Sequence, residues 1–163
     1  MICLSLRFKT VFFMLYITLF FGISSIASAQ ELEARRASTP IVVDGVFNEP
    51  AWETADTVDG FIQFSPEYNE PSPYRTTVKV LYDDDALYFA FYCYDPEPAK
   101  ITAKDTKRDS YFMRDDMVDV YLDTFYDKSN CYIFGVNPLG TVQDGRHAEN
   151  GKTFDINWDG QWR

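Results

Sequence analysis

Near the end of the chain two tryptophans, Trp158 and Trp162, bracket Asp159 and Gln161. Residues four apart share one face of an extended segment, so the two rings would stand together with a carboxylate and an amide at their edge. Such a platform can stack on the apolar C–H face of a sugar while the polar groups bond its hydroxyls. The competing use of the rings is to cover a sheet, and the residues alone leave both open. A second cluster sets Arg108 and Arg114 among Asp109, Asp115 and Asp116. It offers a polar rim, with Arg108 and Asp116 as the leading candidates, or else a structural ion-pair network.

Catalytic chemistry finds little support in the residues. The one histidine, His147, lies in GRHAENGK and reads as an exposed loop residue, so a nucleophile triad lacks a base on a rigid element. Glycoside hydrolysis needs two carboxylates at a set separation, and among 25 acidic residues no pair stands out. There is no phosphate-binding glycine loop and no zinc spacing of Cys and His. The expectation is a protein that is not an enzyme. Calcium takes about six to eight oxygens from a flexible loop. Asp83, Asp84 and Asp85, or Asp115 and Asp116 with Asp109, could contribute, but neither run has calcium-loop spacing. The metal ligands therefore stay unassigned, and calcium stands as an optional structural ion.

The chain of 163 residues carries one domain. Arg7 and Lys9 precede an apolar run from Val11 to about Ile26, and Ala27-Ser28-Ala29 supplies a signal-peptidase pattern. Residues 1–29 are read as a cleaved signal peptide rather than a retained membrane anchor, and Cys3 lies too early for lipoprotein processing. The expected location is outside the cytoplasm: periplasmic, outer-membrane associated or extracellular. Cleavage removes Arg7 and Lys9 from the 15 basic residues and none of the 25 acidic ones, leaving a net charge of about −12. Nucleic acid is excluded as a partner, because a phosphate backbone needs a basic footprint. Cys93 and Cys131 sit inside expected strands, where they would either pair or remain buried thiols.

The elements that must hold these groups are strands. Residues 30–37 are charged and patternless, a flexible lead-in, and the folded domain is expected over 38–163. Ile41, Val42 and Val43 read as a short strand stopped at Asp44-Gly45, followed by a helical turn at Pro50 that carries Trp52 as a core anchor. The run VKVLYDDDALYFAFYCYD, Val78 to Asp95, gives two alternating strands around an aspartate turn. Its second strand has no polar face. Leu87, Phe89 and Phe91 are expected in the core, while the tyrosine face is left for another layer, a partner or a ligand. Val118, Val120 and Leu122 alternate with Asp119, Tyr121 and Asp123, and a further strand from Cys131 ends at Asn137-Pro138. Six or seven short strands without a long amphipathic helix predict an all-β antiparallel β-sandwich, jelly-roll or immunoglobulin-like.

Taken in order, Ile41 to Trp52, VLYDDDALYFAFYCYD, DDMVDVYLDT and FGVNPLGTVQDG resemble the family-nine carbohydrate-binding modules. The resemblance covers residues 40–163 and is nearest to the form found at the N-terminus of bacterial exported proteins with a C-terminal outer-membrane β-barrel. It implies a carbohydrate ligand held by ring stacking, calcium in some members, and strands beyond WDGQWR, so that this sandwich is expected to be C-terminally truncated. It also implies a role linked to polysaccharide catabolism. The alternative is a periplasmic interaction domain of a barrel protein, docking protein through its tyrosine face.

Overall fold

The computed structural model describes residues 31–110 and 114–163. The signal segment expected over 1–29 lies outside them. In chain order the strands are β1 Arg35–Arg36, β2 Thr57–Val58, β3 Thr76–Tyr82, β4 Leu87–Cys93, β5 Val118–Leu122, β6 Cys131–Val136, β7 Val142–Ala148 and β8 Thr153–Asp155, with short helical turns at Pro50–Glu53 and Pro98–Lys100. They make the two sheets of an all-β sandwich. The first sheet is built on β3, which pairs along its length with β4 on one side and with β2 and, in parallel, β1 on the other. The second is the antiparallel meander β5-β6-β7-β8. Neither closes into a barrel.

The β3–β4 hairpin forms because its turn satisfies itself. Asp83 accepts the N–H groups of Asp85 and Ala86 on Oδ1 and the Tyr88 hydroxyl on Oδ2, all within 2.8 to 2.9 Å. A carboxylate so bonded is favoured in its charged form. The Asp85 N–H first, then the Tyr88 hydroxyl and the Ala86 N–H, hold Asp83 below its usual range.

This half is buried on both faces of the hairpin: Val78 and Val80, opposite Phe91 and Phe89, are buried on the expected face, and a second cluster forms on the other. Leu81 and Ala90 are buried, with Ala51, Trp52 and Ala55 of the N-terminal segment packed over them and Tyr88 beside them. Leu87 is 44% exposed, while Phe89 and Phe91 are half-buried. With no polar face on β4, alternation could not tell which side the segment carrying Trp52 would cover. Trp52 is the anchor expected, 5% exposed on its helical turn. Burying a side chain of this kind contributes roughly 1.5–3 kcal/mol.

Two boundaries differ from expectation. Among the described residues strand structure begins at Arg35, where β1 meets Leu81 and Tyr82 and Arg36 pairs with Asp84 at 2.5 Å. Ile41 to Val43 form no strand. Their backbone is engaged locally instead: the Val42 N–H donates to Glu49 Oε1, and the Val42 carbonyl accepts from the Asp44 N–H. Cys93 ends β4 in an exposed position and Cys131 opens β6 half-buried, and both thiols are free.

Candidate functional site

On the second sheet, register decides which side chains meet. Val120, Phe134 and Asp144 are opposite one another on β5, β6 and β7, and Leu122, Tyr132 and Arg146 form the next row on the same face. This face carries two aromatic side chains of β6, Tyr132 and Phe134, next to a carboxylate in mid-strand. Asp144 is fully buried as a side chain. An isolated charge there would be costly, and the surrounding groups answer it. Arg108 Nη2 donates to Asp144 Oδ1, and the Gly160 N–H donates to Asp144 Oδ2 at 2.5 Å. Arg108 Nε also lies 3.3 Å from Asp109 Oδ2, and Nη2 lies 3.4 Å from Asp159 Oδ1. Asp109 is fixed to β7 in turn, donating its N–H to the Val142 carbonyl and accepting the Asp144 N–H.

One buried carboxylate therefore ties two separate loops to β7, one carrying Arg108 and one carrying Trp158 to Trp162. The second loop lays its rings on the sheet. Trp158 lies tilted over Tyr132 with centroids 4.5 Å apart and meets Phe134 edge-on at 5.8 Å, while Trp162 meets the same Phe134 at 5.3 Å. Close approach is why a glycine lies between them: a Cβ on Gly160 would stand 2.9 Å from Phe134 and from Trp158. Both tryptophans are half-buried, while Asp159 and Gln161 between them are exposed.

At the end of this face a cleft of about 210 Å³ opens beside Tyr132, lined also by Thr124, Phe125, Asn130, Cys131, Arg146 and Ala148. Its mouth pairs aromatic surface from Tyr132 and Phe125 with donors from Arg146 and Asn130. A cleft below the roughly 300 Å³ at which drug-sized pockets begin suits one ring rather than a chain.

Of the four residues singled out in the sequence, the fold gathers Arg108, Trp158 and Trp162 into one assembly. Asp116 goes elsewhere. Its Oδ2 accepts the Thr102 N–H at 2.6 Å, and its own N–H donates to the Thr102 carbonyl. Next to it, Asp115 Oδ2 accepts the N–H groups of Lys104 and Asp105 and the Asn137 side-chain amide, each at 2.9 Å. The Asp105 N–H is the main cause holding the Asp115 carboxyl below its usual range. These two acids staple residues 102–105 beneath the Asn137 turn. Among the described residues no group of three or more His, Cys, Asp or Glu side chains is placed to hold a metal ion.

Three features escaped the sequence reading. Asp144 is not among the residues singled out by type and spacing, and the signal that could have found it is a carboxylate alternating inward on a strand, with Arg108 available to pair it. Asp119 was expected to point outward, yet it is half-buried. Burial pushes its carboxyl up, and Oδ1 has no hydrogen-bond partner among the described residues. His147 was expected in a loop but lies on β7, its ring 4.8 Å from that of Phe154 and its Nδ1 3.2 Å from the Thr153 carbonyl.

Residues 43–150 match the family model described as carbohydrate family 9 binding domain-like. The chain belongs to that family. No curated protein and no solved structure matches it. The stretch matched to the family 9 model takes in Trp52, the β3–β4 hairpin, Arg108 and Asp144, and it stops short of Trp158 and Trp162. The site therefore joins family scaffold to a following loop, with Asp144 and Gly160 as the point of attachment.

Proposed function

We propose that this family 9-like domain is an exported, noncatalytic carbohydrate-binding module linked to polysaccharide breakdown. The family match across residues 43–150 carries the reading, and the chemistry of the second sheet supports it. A sugar ring would enter the cleft against Tyr132, next to the Trp158 loop, with Arg146 and Asn130 bonding its hydroxyls. Stacking supplies the apolar contact and the charged donors supply orientation. An acidic protein with a cleft that takes one ring suits neutral glycans, at the weak affinity expected when most of a longer ligand stays wet. Export is supported by the Arg7 to Ala29 pattern. A glycan microarray with the folded protein is the test. Signal on neutral glycans that falls on Tyr132→Ala is expected, and a folded protein that binds none of them counts against the reading.

A further inference from the structure

The face of β3 and β4 on which the Trp52 segment packs is only half covered. Thr77, Lys79 and Leu81 share it with Tyr88, Ala90 and Tyr92, and the Pro50–Glu53 turn closes over Leu81 and Ala90 and stops there. Beyond the turn lies a groove of about 260 Å³, walled by Phe47 and Trp52 on one side and Tyr92 and Tyr94 on the other, with Lys79 and Glu53 among its polar groups. Tyr92 and Tyr94 are 54% and 44% exposed. Their rings lie 4.5 Å apart, and the Arg75 guanidinium sits 5.1 Å over Tyr94. On the far wall Phe47 meets Trp52 edge-on at 5.9 Å, and Lys79 Nζ donates to the Trp52 carbonyl at 2.6 Å, which fixes the floor against the wall.

We propose that this groove is a second saccharide-binding subsite, on the other sheet from the Tyr132 cleft. The proposal rests on the carbohydrate reading of the domain and extends it. Two exposed tyrosines give rigid, flat, amphipathic surface at small entropic cost. The groove's own ionic groups are one ammonium and one carboxylate, so the lining has no net charge to attract an ion. That balance complements an uncharged polyhydroxyl ligand, whose hydroxyls both donate and accept. At about 260 Å³ the groove would hold one ring of a longer chain. Two weak subsites on one domain would raise apparent affinity for a polymer well above that for a short oligosaccharide.

Affinity electrophoresis of the chain in gels containing soluble xylan, galactomannan, hydroxyethylcellulose or mixed-linkage β-glucan tests this. In the gel that retards the native protein, Tyr92→Ala and Tyr94→Ala should each weaken binding about three- to tenfold, and Tyr132→Ala should leave residual retardation that adding Tyr92→Ala abolishes. Both tyrosines are exposed, and an unchanged thermal midpoint verifies that the variants fold. Native retardation that neither tyrosine substitution alters overturns the groove and leaves the domain's carbohydrate reading standing. No retardation of the native protein in any gel overturns both. A change in sedimentation from dimer to monomer on Tyr92→Ala, with retardation unaltered, assigns the groove to a second copy of the chain and also overturns the proposal.

Discussion

The two sheets of this domain are held by different physics. The β3–β4 half is organised by apolar burial, with Trp52, Leu81 and Ala90 at its centre and a helical turn as its lid. The β5–β8 half is organised around a buried carboxylate, Asp144, which collects Arg108 and Gly160 and so aligns two loops with the sheet. The contrast separates roles. Apolar packing is tolerant of exchange at conserved volume, whereas a buried charge accepts few partners. A loop tied to such a charge is held in one place. The half that positions the Trp158 loop is thus the half where polar geometry is fixed, and the other half supplies stability beneath an exposed tyrosine groove.

The comparison predicts that the two halves break differently. The largest effect belongs to the apolar side: Trp52→Ala should cost about 3–5 kcal/mol in urea unfolding, with loss of folding at modest temperature. Next comes Arg108→Ala, which strands Asp144 as a buried unpaired charge. A loss of about 3 kcal/mol is expected, accompanied by displacement of the Trp158 loop visible in tryptophan fluorescence. Arg108→Lys should recover part of the stability, since it restores the charge without the planar fork. If Arg108→Ala leaves both stability and fluorescence unaltered, the second sheet is not organised as described.

Acid titration sharpens the contrast further. Asp83, Asp115 and Asp127 have carboxyls held below their usual range, by the N–H groups of Asp85 and Asp105 and by the Asn130 side chain respectively. Their stabilisation is present above the unfolded carboxylate pKa of about 4 and is lost as pH falls through the lowered folded values. Asp119 has the opposite sign. Burial raises its pKa, so it favours the folded state at low pH and that contribution is lost as pH rises through the raised value. Asp119→Asn should therefore raise the urea midpoint at neutral pH and leave it nearly unchanged in acid. The smallest effect is expected at Cys93. It is exposed and free, so Cys93→Ser should alter stability by less than about 0.5 kcal/mol, and reductant should not shift the thermal midpoint.

Local signals in the sequence were read well where the structure is local. The Asp83 turn, the Pro50 helical turn carrying Trp52, and the Val118–Leu122 and Cys131–Val136 strands all rest on neighbours in sequence, and each forms where expected. What failed depended on partners far along the chain. That the tyrosine face of β4 would be covered as well depended on a segment more than thirty residues earlier, and β4 itself has no polar side to announce it. The Asp144 assembly joins Arg108, 36 residues before, to Gly160, 16 residues after. Composition showed those charges but could not pair them. Ile41 to Val43 have strand propensity, but β1 and β2 occupy the side of β3 away from β4, and the Val42 backbone bonds Glu49 and Asp44 instead. Trp158 and Trp162 stand out by spacing, but only the folded loop shows that both lie against Phe134.

The proposed binding of a neutral glycan to the second sheet at the Tyr132 cleft, beside the loop that Asp144 holds, has a simple test. The most direct measurement is affinity electrophoresis of the native protein beside Tyr132→Ala and Arg146→Ala, in gels carrying the polysaccharides named above, with circular dichroism confirming the fold. The account predicts retardation of the native protein in at least one gel and a loss of about threefold or more for each variant. Native retardation that survives both substitutions undiminished would contradict it.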